Sequence, residues 1–153
     1  MKTKMNRLVS YLVFLVAIVS VAACKHHHDP APSAQDVFTK NVSQSWVVTA
    51  VSVDGKDVTS TFAGFTFMLK SDKSYTTTNN PLHGVFGTAG VYDVKSNAST
   101  ATNGLFDLLL DNSVTLTVTE LTASELKFGF AYTGSNARVT GVSGNYQVTM
   151  TVK

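Results

Sequence analysis

The chain has one cysteine, little charge and no recognisable catalytic motif. With Cys24 as the sole thiol, a disulfide framework, an iron–sulfur cluster and a cysteine-based zinc site are excluded. Charged residues make up 14% of the sequence, against roughly 25% in an ordinary soluble domain, which excludes a disordered acidic or basic chain. There is no glycine-rich phosphate loop, no HExxH and no GxSxG. What remains is 153 residues that are 44% hydrophobic, enough for one domain with appendages.

The first appendage is N-terminal. Lys2, Lys4 and Arg7 precede an uncharged apolar run from Leu8 to Val21, followed by Ala22, Ala23 and Cys24. The run falls short of the ~20 apolar residues that span a bilayer and fits a secretory signal. Residues 1–23 therefore read as a signal peptide. Its removal takes three of the 12 basic residues and none of the 10 acidic ones, so the formal charge moves from +2 to −1. The mature chain has no cationic field for nucleic acid.

Val21-Ala22-Ala23-Cys24 resembles a bacterial lipobox. The resemblance implies a diacylglyceryl thioether and an acylated amine on Cys24, hence attachment to a membrane. Several acyl chains hold a protein on a bilayer where one would not, at about 0.8 kcal/mol per buried methylene. Lys25 rather than Asp follows the cysteine, which for this class implies the outer membrane; the side of that membrane stays open.

Residues 24–34 read as a tether carrying Pro30 and Pro32. His26, His27 and His28 lie in it, but neighbouring imidazoles on a spacer have no preorganised geometry or supporting shell, so no metal site is assigned. Asp36–Gln44 can form one or two helical turns, a lid or plug for the domain that starts at residue 35; so short a helix has to pack on something.

Beyond Trp46 the pattern has a period of two. The expected strands are Trp46–Val53, Phe65–Lys70, Tyr75–Thr78, Gly90–Val94, Leu105–Leu110, Val114–Thr119, Leu126–Thr133 and Tyr146–Lys153. Leu105–Leu110 is a continuous apolar run that also allows a short helix. Asp54-Gly55 marks a hairpin turn. The later strands alternate one large apolar face with one small or hydroxylated face, as antiparallel strands with one buried side do. The fold class is all-β, an antiparallel up-and-down meander of about eight strands closed into a barrel, with a two-sheet sandwich as the alternative.

Trp46 opening the first strand, the Asp-Gly turn, the hairpin Phe65–Thr76 and the stretch Gly87–Val94 together resemble the lipocalin-like domains of Bacteroidota lipoproteins. That resemblance implies a barrel able to hold a small apolar molecule.

No catalytic set can be assembled. His83 is the only histidine in the domain and has no identifiable partner, and Asp107 is notable only for interrupting an apolar run. No enzyme activity and no cofactor are expected. The aromatics are the best lead: Phe86, Tyr92 and Tyr132 are the candidate residues for lining an open barrel mouth. Two readings follow. One is a membrane-tethered, non-enzymatic lipoprotein holding an apolar ligand. The other is an accessory module with a filled barrel that binds a protein or glycan through loops 79–90 and 95–104.

Overall fold

Alternating apolar and hydroxylated residues build one continuous sheet. A computed structural model describes residues 31–97, 103–134 and 142–153, and a boundary at Ala31–Pro32 marks the start of the unit Pro32–Lys153. Cys24, the histidine triplet and part of the 95–104 loop lie outside the described residues.

The strands are β1 (Ser45–Val53), β2 (Lys56–Asp57), β3 (Thr66–Leu69), β4 (Ser74–Thr78), β5 (Ala89–Lys95), β6 (Asp107–Leu110), β7 (Val114–Leu121), β8 (Glu125–Tyr132) and β9 (Gly144–Val152). Every neighbouring pair is antiparallel, and β9 pairs back onto β1 from Trp46–Val152 to Val53–Tyr146. Eight strands therefore close a barrel, the meander expected from the period-two pattern, and the sandwich is set aside. Closure pairs β1 and β9, which would otherwise be left unpaired along that side, with each other. Asp107–Leu110 is a strand, paired on both sides.

The ninth strand, β2, is an addition. Asp54 and Gly55 both take positive φ (47° and 80°) and fold Lys56-Asp57 back onto Ser52-Val53. Its two exposed polar residues carry no apolar pattern to announce it.

A register shift between Val48 and Ala50 changes the phase of β1. Trp46 before it and Val51 and Val53 after it are thus all buried, although a regular strand would turn odd and even positions to opposite faces.

The ends of the barrel are covered by different means. At one end lies α1 (Ala34–Val42), two residues earlier than the sequence suggested. Ser33 and Asp36 form a reciprocal capping box there, each side chain accepting from the other's backbone N–H at 3.1 Å. The helix buries Phe38 and Val42. Phe38 packs on Phe106 at 5.2 Å, and the Trp46 indole N–H donates to the Val42 carbonyl at 2.9 Å. At the other end, a 3-10 turn (Thr59–Phe62) contributes Phe62, and the segment between β4 and β5 contributes Leu82, Val85 and Phe86, all buried.

Candidate functional site

The three aromatics singled out by sequence do not form one site. Phe86 is only 1% exposed and sits inside the barrel, not on its rim. Its ring packs against Phe65 (5.5 Å), Phe67 (5.7 Å) and Phe130 (5.5 Å). Phe130 in turn stacks on Tyr146 at 4.8 Å with planes 7° apart. Loop 79–90, expected to be a partner-binding loop, is thus a plug whose apolar side chains complete the core. It is held internally as well: the Asn80 side chain donates to the Phe86 carbonyl at 2.6 Å and accepts from the Leu82 N–H at 2.8 Å. His83 is exposed at its tip.

Tyr132 is half-buried at the plugged end, edge-on to Tyr146 at 6.4 Å. Tyr92 belongs to the helix end. Its ring is buried, and its hydroxyl donates to the Lys70 carbonyl at 2.7 Å and lies 3.3 Å from Ser43 Oγ. It is a strut between the C-terminus of α1 and the β3–β4 hairpin. Burial raises its pKa, as removal from water disfavours a phenolate.

A polar lock ties the plug to the barrel wall. The Tyr75 hydroxyl donates to the Asp111 carboxylate and accepts from the Gly87 N–H at 3.2 Å. Asp111 also accepts from the Val91 N–H at 2.9 Å. Gly90 leaves room for this group: a Cβ there would run into both Asp111 oxygens and the Tyr75 ring. Burial first, and then the hydrogen bond to Asp111, push the Tyr75 pKa up to about 12.

That shift has a definite sign. A phenol whose folded pKa lies above its unfolded value near 10 contributes stability that is complete below pH 10 and is lost as pH rises towards 12. Alkaline titration followed at 295 nm should show one tyrosine ionising only near pH 12, and that step should vanish in Tyr75→Phe. A Tyr75→Phe trace with the late step intact would contradict the assignment.

The strut at Tyr92 borders a groove of about 780 Å³ between α1 and the β3–β4 hairpin. Thr39, Lys40 and Ser43 line one wall, and Met68, Lys70 and Asp72 line the other. Met68 is 41% exposed, so the groove offers an apolar surface between polar rims. Sequence reasoning missed it because the groove exists only once α1 docks. Its one available signal was Ser33-x-x-Asp36 ahead of Val37-Phe38, a helix start that fixes where α1 begins.

Two surface ion clusters flank this half of the barrel. Asp93 bonds to Lys95 and Lys73, which hold its carboxyl well below the usual carboxylate range. Lys127 sits between Glu120 and Glu125, both at 2.8 Å, which raise its pKa. Such exposed pairs contribute little to stability. Asp107 is half-buried beside the Asn97 amide, which donates to both its oxygens at 3.1 and 2.9 Å. It faces away from the interior, where its neighbour Leu108 is buried. Among the described residues no three His, Cys, Asp or Glu side chains group to hold a metal ion.

Compared with protein-family models and with curated proteins, the chain matches none.

Proposed function

We propose that this chain is a lipoprotein anchored to the outer membrane by lipid on Cys24, and that its filled barrel is a non-enzymatic interaction module for a protein or glycan partner. The observation that carries this reading is the interior. Phe86, Phe65, Phe67, Tyr75 and Phe128 are all at most 1% exposed and occupy the space a small apolar ligand would need. Recognition then falls to the outside of the barrel, and the groove beside α1 combines apolar surface with hydrogen-bonding rims. The anchor rests on the positive n-region, the apolar run and the sole cysteine in its Val-Ala-Ala-Cys setting.

Native mass spectrometry of the full chain, after mild and after harsh extraction, separates this reading from one in which the barrel carries a ligand. The same mass, free of adduct, is expected in both preparations. A stoichiometric apolar adduct lost only on harsh extraction would overturn the filled-barrel reading.

The anchor has its own test. Cys24→Ala should move the protein from the membrane fraction to the soluble envelope fraction. Continued membrane fractionation of the alanine variant would show the lipobox reading to be wrong.

A further inference from the structure

We infer that the helix-capped end of the barrel lies on the anionic lipid surface that holds the Cys24 acyl chains, with Val37, Leu121 and Val152 at headgroup depth. The inference rests on the anchor reading above and adds an orientation to it.

The tether reaches this end of the barrel most easily. Cys24 and Ser33 are nine residues apart, a span of at most about 30 Å at 3.3–3.6 Å per residue. The chain enters the domain at α1, on the helix-capped end. Nine-residue strands such as β1 and β9 are about 30 Å long and stand roughly 20–25 Å tall once tilted in a barrel. The plugged end would meet the bilayer only with the intervening residues drawn out to about two-thirds to four-fifths of that span, which is costly in chain entropy. The helix-capped end meets it at no such cost.

The surface of this end carries exposed apolar side chains. Val37 is 43% and Val152 38% exposed, and Leu121 is half-buried. All three belong to the helix-capped end. Val37 and Leu121 line one shallow groove, while the Val152 N–H donates to Ser124 in the β7–β8 turn. Small apolar side chains at a rim are what an interfacial contact buries.

Charge also separates the two ends. Among the described residues every lysine except Lys56 lies on α1, in the β3–β4 turn or on the strand halves towards this end: Lys40, Lys70, Lys73, Lys95, Lys127 and Lys153. Acidic residues accompany them there. The plugged end carries Asp54, Asp57 and Asp111 against Lys56. With Asp36, Asp72, Asp93, Asp107, Glu120 and Glu125 beside the six lysines, the helix-capped end is formally neutral, so an anionic headgroup layer repels the plugged end more, over roughly the 8–10 Å that salt permits.

The test places single cysteines for a fluorophore at Val37→Cys, at Val152→Cys and, on the plugged end, at His83→Cys, in the full, processed chain. These positions are exposed, so labelling leaves the core intact. The protein is inserted into vesicles of phosphatidylethanolamine and phosphatidylglycerol carrying a headgroup-level spin-label quencher. Labels at 37 and 152 should be quenched several-fold more than the label at 83. Equal quenching at the three positions, on a chain whose intact mass includes the lipid, overturns the docked orientation and leaves the anchor standing. An intact mass without lipid, with Cys24 open to the fluorophore, overturns both.

Discussion

Phe86→Ala is expected to destabilise the domain by about 3–5 kcal/mol, the range for emptying an aromatic site that cannot collapse. The reason for the upper end of core effects is position. Phe86 touches Phe65, Phe67 and Phe130, side chains from β8 and from the chain entering and running along β3. Its loss therefore opens a void between walls that hydrogen-bonded strands hold apart. Urea denaturation should show the midpoint falling sharply with little change in slope. His83→Ala, three residues away in the same segment but exposed, should stay within about 0.5 kcal/mol of the parent. Equal effects at the two positions would mean that the 79–90 segment is not part of the core.

Trp46→Ala should have an effect of similar size at the opposite end, again about 3–5 kcal/mol. Trp46 is fully buried, and its indole donates to the last residue of α1. Its removal takes away both the floor under the helix and the hydrogen bond that holds it. Trp46→Phe keeps most of the floor and loses the bond, so about 1–2 kcal/mol is expected. Limited proteolysis distinguishes this from general weakening: in both variants cleavage within 34–42 should quicken before cleavage within the barrel. Uniform cleavage along the chain would show that α1 is held by something other than Trp46.

These two residues also mark how far the sequence alone could be read. Trp46 was legible because it opens a β-branched run. Strands β7, β8 and β9 were legible because Leu116/Val118, Leu126/Phe128 and Val148/Met150 recur with period two, the direct imprint of one buried face. Phe86 stands out in the sequence as an aromatic, but the sequence places it on the rim. Leu82, Val85 and Phe86 have the i, i+3, i+4 spacing of a single helical turn, and the Phe86 N–H does bond to the Leu82 carbonyl at 3.0 Å, but one turn between Pro81 and Gly87 is too short to read as an element, so nothing local distinguishes a plug from a loose loop. What decides it is the ring of Phe65, Phe67 and Phe130, supplied by residues 19 to 44 positions distant. Strand β2 was hidden for a different reason. Its pairing is imposed by the Asp54-Gly55 turn rather than by any burial of Lys56 or Asp57. The groove beside α1 was hidden because it belongs to neither element that forms it.

The Tyr75–Asp111 lock adds hydrogen bonds to the packing. It joins the plug, through Gly87, to the β6–β7 turn and to the start of β5. The plugging segment is thereby tied to the barrel wall.

Closure of the barrel to apolar ligands by its own side chains is tested by titrating the folded protein with 1-anilinonaphthalene-8-sulfonate at neutral pH. No saturable fluorescence increase is expected for the native chain. A saturable, one-site increase with the native chain, competed by a fatty acid, would contradict it.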